Sequence, residues 1–242
     1  MPQPDYGLDA PKLVRRFSVR GASLIAFAVV LYFANRVTSP GTALALAGML
    51  ICVGLGFLIV AATMVWSSRV GKLNLREQLL NGFSWRGDET VLDVGCGRGL
   101  LVIGAAKRLK TGKATGVDTW QSEILSGNSP EAALSNAKAE GVENRLKIES
   151  ADTRKLPFGA SSFDVVVSSL CIHNIDSVPE RAKALREIAR VLKPGGRLAI
   201  FDILHTSEYA KALQQLGLTD IKLSGFSLLW CMPCRTVTAR KP

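Results

Sequence analysis

Two stretches near the start of the sequence contain no charged residue, one at 21–34 and a longer one at 41–66. At about 1.5 Å per helical residue, the longer stretch measures roughly 39 Å, which exceeds the ~30 Å hydrocarbon core of a bilayer. We therefore predict a transmembrane helix over 41–66. Its Gly48, Gly54 and Gly56 would allow a neighbouring helix to approach closely.

The shorter stretch, 21–34, spans only about 21 Å as a helix, a length more typical of a re-entrant or interfacial segment. It reaches spanning length by including residues 35–37, with the Arg36 side chain extending to the membrane surface. A signal peptide is a rival interpretation, because basic residues precede the stretch. No small-residue cleavage site follows, however, and the second apolar stretch begins shortly afterwards. We therefore predict a transmembrane helical hairpin over 21–66.

Positive charge flanks both ends of this hairpin, whereas the link between its helices carries only Arg36. By the positive-inside rule, residues 1–20 form a cytoplasmic basic segment, 67–84 a linker helix and 85–242 a cytoplasmic domain. Residues 1–76 hold eight basic and two acidic residues in a chain of net charge +10. Anionic membrane lipids are sufficient partners for this charge, so the composition requires no nucleic acid. The oligomeric state is left open.

Beyond residue 84, short apolar runs alternate with helical patterns, as in doubly wound α/β folds whose strands are mostly parallel. The C-terminal part, 208–239, has the pattern of a helix followed by two strands. The predicted strands lie at 91–94, 114–118, 146–150, 163–169 and 197–202, and the predicted helices at 100–110, 131–141 and 179–193.

The turn after the first of these strands has an unusual glycine pattern. Asp93 is followed by Gly95, Gly97 and Gly99 at alternate positions. A strand, a glycine turn and a helix let the backbone approach a ligand closely at the carboxyl edge of a sheet. A dinucleotide site would need G-x-G-x-x-G, but its third position is Leu100 here. The stretch D-x-G-C-G-x-G instead resembles motif I of class I S-adenosylmethionine (SAM) dependent methyltransferases.

Further motifs of that family follow in the expected order. They are an acidic end to the second strand, an acid before Leu156-Pro157-Phe158, an apolar fourth strand, and Leu-Lys-Pro-Gly-Gly before the fifth strand. The resemblance covers about residues 72–241 and is closest to the ubiquinone/menaquinone-methylase type. It implies a Rossmann-like sheet of seven strands, closed by a C-terminal antiparallel hairpin, and SAM as cofactor. The membrane hairpin and the loop at 126–130 depart from the family.

The resemblance also implies which residues hold the cofactor. Asp118 would accept hydrogen bonds from the ribose hydroxyls, and Asp152 from the amino group of adenine. From the residues alone, Asp118 could instead cap a helix, Asp152 could be a solvated loop acid, and Trp120 could be either an adenine-stacking or an ordinary aromatic residue. The predicted cofactor-binding residues are Asp93, Gly95, Cys96, Gly97, Gly99, Asp118, Thr119, Trp120, Ala151, Asp152, Thr153 and Ser168.

The two histidines of the chain, His173 and His205, each follow a strand of the inferred sheet. An unperturbed imidazole titrates near about 6.5, so His173 could deprotonate or orient an acceptor, with Asp202 as its partner. His205 is the second catalytic candidate, although it could simply cap the helix that begins near Thr206. Both could also be ordinary loop residues, because methyl transfer needs a base only when the acceptor arrives protonated.

Taken together, these features predict a membrane-anchored methyltransferase acting on an apolar small-molecule or lipid-like acceptor. A membrane-tethered protein methyltransferase and a non-catalytic SAM-binding subunit remain alternatives. The Asn-Pro-Pro-Tyr type motif of DNA amino-methyltransferases is absent, because residues 168–171 read Ser-Ser-Leu-Cys. Since every strand motif lies beyond residue 66, a fragment without the hairpin is expected to bind SAM.

Cysteine spacing adds no metal site to this picture. Cys231 and Cys234 have C-x-x-C spacing, but no second pair or nearby histidine completes a zinc site. We interpret the intervening Met232-Pro233 as the turn of the last strand hairpin.

Overall fold

A computed structural model describes residues 3–35, 37–121, 123–229 and 232–242. Its N-terminal part is a pair of antiparallel helices, α1 (Pro11–Asn35) and α2 (Pro40–Trp66). Both are long and apolar enough to cross a membrane, a property that some buried core helices and signal sequences share. The predicted snorkelling residue Arg36 lies outside the described residues.

Small residues bring these two helices together. A Cβ added to Gly54 would lie 2.9 Å from the carbonyl oxygen of Gly21, so the backbones touch at this crossing. The close approach predicted at Gly54 is therefore observed. Gly48 and Gly56 have no neighbour within 4 Å of an added Cβ.

The boundaries predicted around the hairpin differ from those observed. Helix α1 begins at Pro11, so the second half of the predicted basic segment, 11–20, is helical and continuous with the apolar stretch. Residues 3–10, in contrast, pack against the domain that follows the hairpin, which is called the soluble domain below. Helix α2 continues through a π-helical turn, Ser67–Gly71, into α3 (Lys72–Asn81). The predicted linker helix is thus the end of one long helical segment.

The soluble domain is built on one twisted sheet. Its seven main strands have the order β3-β2-β1-β4-β5-β8-β6, and β7 pairs with β8 at one end. Strands β1 to β5 are parallel, whereas β8 runs antiparallel to both β5 and β6. This is the predicted Rossmann-like architecture. The elements are β1 (Thr90–Val94), α4 (Leu100–Ala106), β2 (Lys113–Asp118), α5 (Pro130–Ala139), β3 (Leu146–Ser150), β4 (Phe163–Ser169), α6 (Val178–Val191), β5 (Leu192–Asp202), α7 (Thr206–Gln215), β6 (Thr219–Leu223), β7 (Ser227–Leu229) and β8 (Met232–Arg240).

The C-terminal strands correct one prediction. Leu229 pairs with Met232, which places Met232 and Pro233 inside β8 instead of in the turn of the hairpin. Strand β8 leaves only residues 230 and 231 between itself and β7. Trp230 and Cys231 lie outside the described residues. Cys234, the other cysteine of the C-x-x-C pattern, is buried in β8.

Alternation along the strands builds a core on each face of the sheet. Neighbouring residues of β1 point to opposite faces, so Val91 packs towards α3 and α4 whereas Leu92 packs towards α6 and α7. Both side chains are fully buried. Because the parallel strands end together, the residues that follow β1, β2, β3, β4 and β5 meet along one edge of the sheet.

Candidate active site

The glycine turn between β1 and α4 leaves no room for side chains. Gly95, Gly97 and Gly99 all have positive φ values, of 74°, 53° and 90°. A Cβ on Gly95 would lie 2.2 Å from Sγ of Cys171, which follows β4. A Cβ on Gly97 would lie 2.9 Å from Leu125 in the loop after β2. The glycines therefore let the turn pass between two neighbouring loops of the sheet edge.

Asp93 is buried below this turn and only one of its oxygens has a partner. Oδ2 accepts the Val102 N–H of α4 at 2.9 Å, whereas Oδ1 is shielded from solvent and makes no hydrogen bond within the described part of the chain. Burial raises the pKa of this carboxyl to about 8; the Val102 N–H opposes the shift and the charge of Asp118 adds to it. An unpaired buried acceptor of this kind is suited to a donor group on a ligand.

Asp118, at the end of β2, holds the turn and the next loop in place. Its Oδ2 accepts the Gly97 N–H at 2.8 Å, and its Oδ1 accepts the Trp120 N–H at 2.7 Å and the Asn128 side-chain amide at 3.3 Å. The carbonyl oxygen of that Asn128 side chain is buried and has no hydrogen-bond partner among the described residues. Residues 123–128 of the loop after β2, whose 126–130 part was expected to depart from the family, thus lie against the glycine turn.

Asp152 follows β3 and is held by a nearby guanidinium. Arg154 donates from Nε to Oδ1 at 2.9 Å and from Nη2 to Oδ2 at 2.5 Å. These bonds lower the pKa of Asp152, so the carboxyl is ionised and remains an acceptor. Arg154 also contacts Glu180 of α6 at 3.1 Å.

His173 and Asp202 lie together where β4 and β5 end. The His173 Nδ1 is 2.5 Å from Oδ1 of Asp202, although this close contact does not have the geometry of a hydrogen bond. Asp202 is fully buried and also accepts the His173 backbone N–H at 3.1 Å, the Ile203 N–H at 2.8 Å and the Tyr209 hydroxyl at 3.3 Å. A carboxylate beside Nδ1 favours the tautomer whose Nε2 can accept a proton.

A single cavity of about 990 Å³ connects these groups. Ligand sites typically have volumes of about 300–1,000 Å³, so this one is at the upper end. Nine predicted site residues line it: Asp93, Gly95, Cys96, Gly97, Asp118, Thr119, Asp152, Thr153 and His173.

The other predicted site residues lie behind or beside the wall of this cavity. Gly99 starts α4, and Ser168 is fully buried with its hydroxyl bonded to the Val94 carbonyl. Trp120 donates from Nε1 to Ser150, and the Ala151 N–H bonds to the Asp118 carbonyl. Like Asp202, these four residues are not among those that line the cavity in the described part of the chain.

His205 does not join His173. It occupies the position before α7 with a φ of 60°, and its Nδ1 lies 3.5 Å from Glu208 in the first turn of that helix. The sequence also allowed His205 to be a residue at the entrance of this helix, and that is where it lies. The geometry therefore distinguishes the two histidines, since His173 alone of the pair faces the cavity.

Sequence reasoning missed the contribution of the N-terminal segment. Tyr6 and Asp9 line the cavity, and the segment bonds to the 121–128 loop through the Leu8 N–H and carbonyl, which both pair with Ser126. Tyr6 is buried, and its hydroxyl bonds to Glu140, the residue that follows α5. Such contacts between residues more than 100 positions apart leave no local sequence pattern.

The N-terminal segment is also tied to α3 by charge. Lys72 donates to the Tyr6 and Gly7 carbonyls at 2.8 and 2.9 Å and lies 3.0 Å from a carboxylate oxygen of Asp9. Arg76 bonds to both Tyr6 and Glu140. One end of the cavity is therefore fixed by buried polar contacts between the two halves of the chain.

The cavity fits a nucleoside-like cofactor that also carries an amino group. Of five buried side-chain polar atoms that make no hydrogen bond in the described ranges, four belong to cavity-lining residues: Asp93 Oδ1, Arg98 Nε, Asn128 Oδ1 and His173 Nδ1, the last of which already lies beside Asp202. Two are acceptors that could receive ammonium or hydroxyl donors, and Asp118 and Asp152 provide further carboxylates. SAM has these donors, so the residues present suit it.

Comparison with known proteins agrees with this geometry. A family model described as a methyltransferase domain matches residues 92–200. The sterol 4-C-methyltransferase strm-1 of Caenorhabditis elegans is 37% identical over 50% of this chain and 33% of its own length. A ubiquinone/menaquinone biosynthesis C-methyltransferase of Dinoroseobacter shibae is 32% identical over 52% of this chain and 47% of its own length. The chain thus matches half or less of the length of these curated relatives.

Solved structures share the fold. The geranyl diphosphate C-methyltransferase of Streptomyces coelicolor, solved with S-adenosyl-L-homocysteine, superposes with a TM-score of 0.58 at 15% identity, covering 70% of this chain and 76% of that one. The glycine turn, the sheet order and the matched domain point to the same similarity. Residues 92–200 resemble a methyltransferase domain, and the sheet has the fold of a solved methyltransferase structure.

Proposed function

We propose that this protein is a membrane-anchored methyltransferase that uses SAM to methylate an uncharged, apolar small-molecule or lipid-like acceptor. The observation that carries the proposal is the shared cavity. Cofactor-binding groups at one part of its wall and the His173 imidazole at another face the same space. When bound, SAM supplies an electrophilic methyl group on a sulfonium centre.

His173 is the proposed base. Asp202 holds both the backbone N–H and Nδ1 of this residue, which leaves Nε2 to take a proton from an acceptor hydroxyl or other acidic group. Asp202 is completely buried and its oxygens are occupied by protein donors, so its role is to position the imidazole. The remaining rate enhancement comes from aligning the acceptor with the methyl donor.

Charge in the cavity favours an uncharged acceptor. The basic side chains along the described wall are Lys72, Arg98 and Arg154, and each already lies within 3.0 Å of an aspartate. Asp93 and Asp118, in contrast, form no ion pair with a basic residue among the described contacts. A phosphate or carboxylate on the acceptor would therefore meet acidic groups without an available cation.

Membrane attachment is the second part of the proposal. Helices α1 and α2 meet the length and hydropathy expected of membrane spans, and most of their large apolar residues face outward: Phe27, Val30 and Phe33 of α1 are 56–64% exposed. The basic residues at 12–20 and 69–76 flank the same end of the hairpin, which favours a cytoplasmic soluble domain. The relatives' names, a sterol and a quinone-pathway methyltransferase, are consistent with an acceptor found in membranes.

The experiment compares the two histidines. Membranes containing the protein would be incubated with SAM labelled in its methyl group, and lipid extracts analysed by mass spectrometry for labelled products. His173→Ala should reduce product formation about 10²–10⁴-fold with SAM affinity nearly unchanged. His205→Ala is the matched control and should keep turnover near the wild-type rate. Near-normal turnover of the His173 variant would refute a base at this position.

A further inference from the structure

The wall of the cavity does not end with the soluble domain. Leu13 and Phe17 of α1, and Val60 and Met64 of α2, line the same space as His173. The two residues of each pair are four positions apart in the sequence, so they lie on one face of their helix. Because the helices are antiparallel, the start of α1 and the end of α2 lie side by side next to the soluble domain.

These helix ends have the chemistry of a site for a hydrocarbon chain. Met64 is only 4% exposed and belongs to a small cluster with Val14 and Ala61, whereas Leu13 is 40% exposed although it is a large apolar residue. Phe17 stacks on Phe57 with ring centroids 5.7 Å apart, which fixes the aromatic wall. An apolar chain lying here would shield Leu13 from water. This burial would favour binding by about 25 cal/mol per Å² of apolar surface removed from water.

The position of basic residues indicates where this apolar end opens. Lys12, Arg15 and Arg16 are exposed on the same turns of α1 that carry Leu13 and Phe17. In the proposed topology these side chains lie at the level of the lipid headgroups, because basic residues next to a span interact with anionic lipids. A hydrocarbon chain could then pass from the bilayer to the helix ends without crossing water.

We infer that the adjoining ends of α1 and α2, through Leu13, Phe17, Val60 and Met64, form a binding subsite for the apolar chain of the acceptor, so that the hairpin is part of the active site as well as an anchor. This inference rests on the proposed function. The acceptor is then an amphipathic molecule whose uncharged reactive head lies near His173 and whose chain lies between the helix ends. Acceptors without such a chain should bind more weakly.

Photo-crosslinking tests the subsite directly. The full-length protein, in lipid nanodiscs and saturated with S-adenosyl-L-homocysteine, would be exposed to a 4-decylphenol that carries a diazirine at the end of its alkyl chain. Mass spectrometry should find the label on peptides that contain residues 13–17 or 60–64. Met64→Trp, which fills the space, should reduce this labelling at least tenfold. Met49→Trp is the matched control, because Met49 lies on the same helix and is 59% exposed.

Separate measurements distinguish the possible failures. Calorimetry should give the same S-adenosyl-L-homocysteine affinity for wild type, Met64→Trp and Met49→Trp. If Met64→Trp fails to fold, Leu13→Trp replaces it, because Leu13 is already partly exposed and tolerates a larger side chain. Labelling confined to the outward-facing residues within 44–59 would overturn the subsite. Equal labelling in Met64→Trp and Met49→Trp would overturn it as well. Failure of the wild type to bind S-adenosyl-L-homocysteine would instead refute the proposed function.

Discussion

The buried carboxyl of Asp93 should make cofactor affinity depend on pH. In the absence of ligand, burial raises the pKa of this group to about 8, so most of it is protonated at neutral pH. A cationic ammonium group placed against the unpaired Oδ1 would favour the carboxylate and lower that pKa. Cofactor binding and proton release from Asp93 are therefore linked, and affinity should rise as the pH approaches 8.

The size of the effect follows from the pKa. At a pKa of about 8, roughly 1% of the carboxyl is ionised at pH 6 and about half at pH 8. If the carboxylate alone binds the ligand, affinity for S-adenosyl-L-homocysteine should increase about 50-fold over that interval. At pH 7, binding should release close to one proton, which calorimetry detects as a difference between buffers of different ionisation enthalpy.

Asp93→Asn is the matched variant, because it keeps the acceptor for the Val102 N–H but cannot ionise. Its affinity should be weaker than that of wild type at pH 8 and almost independent of pH. The unliganded wild type should also lose stability from about pH 4 to pH 8, since a raised folded-state pKa means that the folded protein binds more protons than the unfolded chain over this range. A flat affinity profile for wild type would refute the placement of an ammonium group at Asp93.

Two further predictions address the glycine turn and the hairpin. Gly95→Ala should greatly reduce cofactor affinity, because the added Cβ would lie 2.2 Å from Sγ and 2.4 Å from Cβ of Cys171. Calorimetry should show that affinity is partly restored in the double variant with Cys171→Gly. If affinity is not restored, the positive φ of 74° at position 95 is the whole cause of the defect. Cysteines introduced at 37–39 should react with impermeant reagents from outside the cell only, and reaction from the cytoplasm instead would reverse the proposed topology.

Local patterns explain why the soluble domain was predictable. The strands at 91–94 and 163–169 are mostly apolar because parallel strands are covered on both faces, and each includes a residue that lines the cavity, Asp93 in the first and Ser169 in the second. Glycine spacing excluded a dinucleotide site because positive φ and close contacts are required at specific positions. The strand between 220 and 230 was predicted as one element, and its division into β6 and β7 depends on pairing with β8, which the local composition does not reveal.

The cavity wall was only partly predictable for the same reason. Residues that belong to a motif, such as Asp118, were identified, because their chemistry is tied to their position after a strand. The residues that form the far wall, including Tyr6, Asp9 and Met64, lie far from every motif in the sequence. Placing them requires knowledge of how the hairpin packs on the soluble domain. Asp93 was predicted as a cofactor residue, and this role stays a prediction. Its unpaired oxygen and raised pKa depend on burial that the sequence does not specify.

These contacts change what a truncation should do. From the sequence, a fragment without the hairpin was expected to bind SAM normally, because all strand motifs lie beyond residue 66. The structure shows that residues 3–10 brace the 121–128 loop. Three hydrogen bonds join them: the Ala10 N–H to the Ile124 carbonyl, the Ser126 N–H to the Leu8 carbonyl, and the Leu8 N–H to the Ser126 hydroxyl.

Deleting residues 1–10 should therefore weaken cofactor binding, and it also removes the Asp5 partner of Arg98 in the glycine turn. Each of these hydrogen bonds contributes about 0.5–1.5 kcal/mol, so losing all three lowers the stability of the closed loop by roughly 1.5–4.5 kcal/mol. Since about 1.4 kcal/mol is a factor of ten, affinity for S-adenosyl-L-homocysteine should fall at least tenfold where the closed loop is needed for binding.

An exposed salt bridge between the start of α1 and the loop after β2 provides the control. Lys12 and Glu123 form a salt bridge whose side chains are 72% and 76% exposed, and such surface pairs contribute little. Lys12→Ala should accordingly leave affinity within a factor of about three. Calorimetry on the deletion and on Lys12→Ala, with hydrogen exchange to follow the loop, separates the two effects. Unchanged affinity in the deletion, together with unchanged protection of residues 123–128, would show that the loop closes over the cofactor without its N-terminal brace.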